Sequence, residues 1–147
     1  MSQTVESQNP SVWKVDKTFP SIVGTTHQLV EEVLSRMAGL GWCDRDIFAV
    51  NMALEESISN AIEHGNHSNP KKYFQVVCTV SPKMVSIRVR DEGKGFQRDL
   101  VPDPTREENL EIPSGRGTLL IQGFMTRVRY NESGNEIFME KEPTPAG

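Results

Sequence analysis

Apolar positions along the chain change period several times, and each change marks an element. The stretch Val12 to Phe19 predicts a first strand ended by Pro20. Leu29, Val30, Val33, Leu34 and Met37 then recur at helical spacing behind Thr25 and Thr26, either of which suits the cap, and Gly39 and Gly41 stop the helix. A longer helix follows from Asp44, the expected N-cap, to Gly65, with Ile47, Val50, Leu54, Ile58, Ala61 and Ile62 as its apolar stripe. Two strands come next, Tyr73 to Val80 and a run in which Val85, Ile87 and Val89 alternate with Ser86, Arg88 and Arg90, joined by Ser81, Pro82 and Lys83.

Between Gly93 and Gly117 the periodicity dissolves into a segment rich in glycine, proline and charge, a length of irregular chain that in a small domain is usually functional or disordered. Leu119, Leu120, Ile121, Phe124 and Met125 predict a short helix. A hairpin of Arg127 to Asn131 and Glu136 to Lys141 around Ser133-Gly134 closes the chain. The ordered domain is expected over residues 11–141, with residues 1–10 and 142–147 as loose ends.

Composition narrows the function. The 147 residues carry 16 Lys+Arg against 20 Asp+Glu, a formal net charge of −4, which argues against a nucleic-acid backbone as the main partner. No apolar run approaches the roughly 20 residues needed to cross a bilayer, and residues 1–10 are polar. A cytoplasmic protein without membrane contact is the expectation. Cys43 and Cys78 stand apart with no histidine cluster near them, so they read as free thiols rather than a disulfide or zinc site.

Three features carry candidate chemistry. Glu56 and Asn60 lie one turn apart on the long helix, opposite its apolar stripe, and His64 continues the row. The pair suits a solvated hydrogen-bonded face, but Ala49 and Ala53 precede it on the same side, which points to a face that something covers. An amide oxygen is a hard ligand for Mg²⁺ and a carboxylate beside it suits a base. The second feature is Asp91 in Val89-Arg90-Asp91-Glu92-Gly93-Lys94-Gly95-Phe96: it shares the parity of Val85, Ile87 and Val89, so a carboxylate ends the buried row, and Gly93 and Gly95 permit close approach of a flat ligand. An Asp capping its own turn fits the same residues. The third is Pro113-Ser114-Gly115-Arg116-Gly117-Thr118 before the short helix, where free N–H groups and Arg116 suit an anion, although a flexible entry loop reads the same way.

In order, Glu56-x-x-x-Asn60, Asp91-x-Gly93-x-Gly95 and Gly115-x-Gly117 resemble the nucleotide-binding boxes of the ATPase superfamily shared by gyrase, histidine kinases and mismatch-repair ATPases. The run from Glu55 to Asn66 and the segment Pro102 to Gly117 resemble most the anti-sigma-factor serine kinase branch. The resemblance implies a histidine-kinase-like ATPase (Bergerat) fold: an α/β two-layer sandwich with a mostly antiparallel mixed sheet covered on one face by helices, and an ATP lid at 96–116. It implies that Asn60 ligates Mg²⁺ on the ATP phosphates, that Asp91 accepts from the adenine amino group, and that Gly93 and Gly95 let the loop close on the base. Gly115, Arg116, Gly117 and Thr118 would hold the phosphates, with His64 among the nucleotide-binding residues, and Glu56 would orient and deprotonate the attacking hydroxyl.

The closing hairpin departs from the pattern, with Gly134-Asn135 where members often carry Gly-Thr, and no nucleotide contact is assigned there. A histidine-kinase role is not expected, since no upstream helix bears a phosphoacceptor histidine and His27 and His67 stand in the wrong setting. The implied activity is an ATP-dependent serine/threonine kinase that binds a sigma factor and phosphorylates a Ser or Thr of an anti-sigma-factor antagonist, with ATP/ADP and Mg²⁺ as cofactors and a homodimer as the assembly. The alternatives are a nucleotide-gated sequestering module without chemistry, or the same switch acting on a target other than a sigma factor.

Overall fold

The computed structural model describes residues 12–93 and 121–145. Gly95, the lid segment 96–116, Gly117, Thr118, residues 1–11 and residues 146–147 lie outside the described part. Strand β1 (Trp13–Pro20) leads into helix α1 (His27–Gly39) and then α2 (Asp44–Asn60), which continues without a break into a π-helical turn (Ala61–Gly65). Strands β2 (Tyr73–Val80) and β3 (Val85–Arg90) follow, then a helical stretch at 121–124 and the hairpin of β4 (Arg127–Tyr130) and β5 (Glu136–Lys141).

The helix starts differ from expectation by one residue or by their bonding. Extended Cys43 (φ −76°, ψ 160°) is the N-cap of α2, so Asp44 becomes its first residue and joins Asp46 in the first turn, where carboxylates meet the positive end of the helix dipole. Thr26 occupies the N-cap of α1 without a side-chain cap bond, while the Thr25 hydroxyl donates back to the Ile22 carbonyl at 2.9 Å. Gly41 stops the chain after α1 in the left-handed region, at φ 90°.

The five strands form one sheet in the order β1-β2-β3-β5-β4, with every described pairing antiparallel. Register carries one apolar row across the whole sheet: Val15 opposite Cys78, Cys78 opposite Ile87, Ile87 opposite Met139 and Met139 opposite Val128. This face meets the helices. Leu29, Val33 and Met37 of α1 and Val50, Leu54 and Ile58 of α2 pack with Phe74, Val76, Val80, Val85 and Val89 in one core. The other face carries Lys14, Asp16, Arg88, Arg90, Arg127 and Arg129, all exposed, so period-two alternation in the strands divides core from solvent.

The C-terminal tail is tied to the start of α2. Asp46 is 1% exposed; the Thr144 N–H donates to its Oδ2 at 2.8 Å, the Thr144 hydroxyl to its Oδ1 at 2.5 Å, and Lys141 Nζ lies 3.5 Å away. Among the described residues no helix is long and apolar enough to cross a membrane.

Candidate functional site

At the other end of α2 the helix winding changes. The Asn66 N–H donates to the Ala61 carbonyl at 2.9 Å, five residues back, so the last turn is π-helical, a form that recurs at functional sites because it shifts the phase of the residues after it. His67 (φ 52°) and Ser68 (φ 56°) then turn the chain through the left-handed region.

The shift lands Gly65 on the end of β3. A Cβ built on Gly65 would stand 2.2 Å from Asp91 Oδ2, and one on Gly93 would stand 2.0 Å from the Gly65 carbonyl oxygen. Both positions therefore need glycine for close approach of two segments, and the contact joins the helix motif to the strand motif. Asp91 is half-buried, as its parity predicts. Burial pushes its carboxyl above the ordinary carboxylate value, while the Gly93 N–H, donated to Oδ1 at 2.8 Å, and the charge of Lys72 pull the other way. An acceptor oxygen held half-desolvated at the end of a core strand suits a directional hydrogen bond to a flat polar ligand.

Glu56 and Asn60 are both half-buried and His64 is exposed. Ala49 and Ala53, on the same side of α2, are buried, so this face is covered rather than solvated along much of its length. Among the described residues the Glu56 and Asn60 side chains form no hydrogen bond to each other, which separates them from a simple i,i+4 surface pair. Among the described residues no group of three or more His, Cys, Asp or Glu is placed to hold a metal on its own. One amide oxygen beside one carboxylate instead fits Mg²⁺, which keeps several waters and takes most of its other ligands from substrate phosphates.

Two asparagines support Asp91 in ways the sequence did not announce. Asn135 accepts the Asp91 N–H on its carbonyl at 2.9 Å and donates Nδ2 to the Asp91 carbonyl at 3.2 Å, so the β3 to β5 ladder runs one residue past its regular end. Asn131 Nδ2 in turn donates to Asn135 Oδ1 at 2.7 Å. Asn66 is fully buried and reaches three separate segments. The available signal was thin: Asn66 closes the run from Glu55 that carries the resemblance, without a role assigned to it, and Asn135 stands where the family pattern often has threonine. The expected phosphate-holding residues Gly115, Arg116, Gly117 and Thr118, and Gly95 beside Asp91, lie outside the described residues.

A one-sided antiparallel sheet, two covering helices and a polar site where the long helix ends against β3 define an α+β ATPase-type sandwich. The chain belongs to the histidine kinase-like ATPase domain family, whose model matches residues 20–141. It is similar to an anti-sigma F factor of Oceanobacillus iheyensis, 28% identical over 102 residues that cover 66% of this chain and 70% of that one. An anti-sigma F factor of Bacillus cytotoxicus is 32% identical over 102 residues, 65% of this chain and 69% of its own. A serine-protein kinase RsbW of Oceanobacillus iheyensis is 26% identical over 129 residues, 83% of this chain and 80% of its own. Among solved structures, a Mycobacterium tuberculosis chain with RsbU and RsbW domains superposes with a TM-score of 0.60 at 16% identity, over 91% of this chain and 34% of that one. This chain thus spans about a third of that two-domain structure, and the likeness is one of fold.

Proposed function

We propose that this chain is an ATP-dependent serine/threonine protein kinase that acts as an anti-sigma factor in a partner switch, binding a sigma factor and phosphorylating a Ser or Thr of its antagonist. The observation that supports the reading is that half-buried Glu56 and Asn60 lie on the same long helix whose last turn, at Gly65, carries the Asp91 carboxylate against it. The names of the similar proteins, anti-sigma F factor and serine-protein kinase, support it.

In this reading Asp91 accepts a hydrogen bond from the adenine amino group, and its half-buried setting favours that directional contact over hydration. Asn60 presents a neutral oxygen to Mg²⁺, which would offset phosphate charge when bound. Glu56 orients the acceptor hydroxyl and takes its proton as the oxygen attacks the γ-phosphorus and ADP leaves. Phosphoryl transfer asks little more of a protein than such positioning and charge. Residues 115–118 would hold the phosphates, and the assembly would be a cytoplasmic homodimer.

The test is transfer of labelled γ-phosphate to a candidate antagonist protein. Glu56→Ala is expected to abolish transfer while ATP binding, read by calorimetry, stays within about twofold. Undiminished transfer by Glu56→Ala overturns the assignment of the base. A light-scattering mass near one 16.5 kDa chain overturns the homodimer.

A further inference from the structure

Asn66 makes three side-chain hydrogen bonds while fully buried. Its Nδ2 donates to Ser21 Oγ at 2.8 Å and to the Tyr73 carbonyl at 3.0 Å, and its Oδ1 accepts the Glu92 N–H at 2.9 Å. The Tyr73 N–H in turn donates to Glu92 Oε2 at 2.6 Å. Asn66, Tyr73 and Glu92 therefore close a ring of hydrogen bonds that joins the end of the π turn, the start of β2 and the residue after Asp91. Ser21 anchors the ring to the segment after β1, because its hydroxyl donates to the Lys72 carbonyl at 2.8 Å.

The ring sits one residue away from the contact that shapes the site on both sides. Gly65, which touches the Asp91 carboxylate, precedes Asn66, and Asp91 precedes Glu92. A hydrogen bond between Asn66 and Glu92 thus sets the distance between Gly65 and Asp91. A short amide with both donors and its acceptor engaged has little rotational freedom left. Neither carboxylate nor alkyl substitution reproduces it: Ala loses all three bonds, and Asp keeps the acceptor but turns an oxygen toward the Tyr73 carbonyl.

We propose that Asn66 is a positioning residue for nucleobase recognition, acting through Asp91 by holding the loop from Asp91 to Gly93 against the last turn of the long helix. The proposal rests on the nucleotide-binding reading given above, in which Asp91 meets the base.

The test is a double-mutant cycle on ATP affinity in the full chain, by NMR titration to millimolar ATP, with Asn66→Ala and Asn66→Asp each made alone and with Asp91→Asn. Each single change at Asn66 is expected to weaken ATP binding about tenfold or more, and to cost less than about twofold once Asp91→Asn is present. A purely structural asparagine would weaken both backgrounds equally, and that additive outcome overturns the proposal. Undiminished affinity in Asp91→Asn overturns the nucleotide reading itself, and the role of Asn66 with it. Hydrogen exchange of the unmutated chain supplies a check that does not depend on a folded variant: the Glu92 amide is expected to exchange slowly. Exchange at the rate of a free loop amide overturns the Asn66 anchor whether or not ATP binds.

Discussion

The Asp91 carboxylate packs directly on the backbone of Gly65, closely enough that a Cβ at position 65 would stand 2.2 Å from Oδ2 and 2.3 Å from the carboxyl carbon. Residues 26 apart in sequence thereby share one contact, and the glycine is required by space rather than by backbone conformation. Gly65→Ala is expected to displace Asp91 and to lower ATP affinity by about tenfold or more, with an overpacking cost of about 1–3 kcal/mol. Calorimetry and thermal melting read the two effects on the same sample.

Gly93→Ala is expected to be the worse of the two. Its Cβ would meet the Gly65 carbonyl oxygen at 2.0 Å, and backbone cannot rotate away as a side chain can. The drop in urea midpoint should exceed that of Gly65→Ala; the reverse order would show that the loop from Asp91 to Gly93 yields more easily than the carboxylate.

Burial raises the Asp91 carboxyl above its ordinary value of 3.8, against the pull of Gly93 and Lys72. Between 3.8 and that raised value the folded chain binds the proton that the unfolded chain has released, so stability from this group falls as pH rises through the window. Asp91→Asn should therefore leave the nucleotide-free protein at least as heat-stable at neutral pH, since an amide oxygen still accepts from Gly93, while ATP affinity falls to a level that only titration to millimolar ATP reads. A marked fall in melting temperature would assign Asp91 a structural role instead.

Asp46 has the opposite sign. Burial pushes its carboxyl up, but the hydrogen bonds from Thr144 and Cys43 and the charge of Lys141 outweigh it and leave the group below 3.8. Its contribution is present above 3.8 and is lost as pH falls through the lowered folded value. Removing residues 143–147 takes away both Thr144 bonds and is expected to cost about 1–3 kcal/mol at neutral pH, with a weaker loss on acidification than the full chain shows. Urea unfolding at several pH values measures both.

The two cysteines are expected to differ in reactivity. Cys43 is exposed, whereas Cys78 is buried in the apolar row, with its thiol pushed up to about 12. A thiolate-directed reagent should modify Cys43 in the folded chain and reach Cys78 only after denaturation. Equal labelling of both in the native protein would contradict the core placement of Cys78.

Much of this architecture is local and was legible for that reason. Period-two alternation placed Val85, Ile87 and Val89 on the core face and carried Asp91 to the same side, and the helical stripe of Val50, Leu54 and Ile58 placed Glu56 and Asn60 away from it, because pleat and helix pitch are properties of neighbouring residues. The helix of expected length from Asp44 to Gly65 forms, but its last turn is π-helical, and no spacing rule announces one extra residue per turn. Strand order, with β5 between β3 and β4, is likewise a matter of which edges meet.

The sequence by itself determined which residues are apolar at which period, hence the elements and the side on which each polar candidate falls. Only the tertiary structure decided that Gly65 touches Asp91, that Asn135 holds the Asp91 backbone and Asn66 the Glu92 N–H next to it, and that Thr144 satisfies buried Asp46. The physical reason is range: periodicity acts within a few residues, whereas a buried polar group takes its partner from whatever segment packing brings within hydrogen-bond distance, however far along the chain.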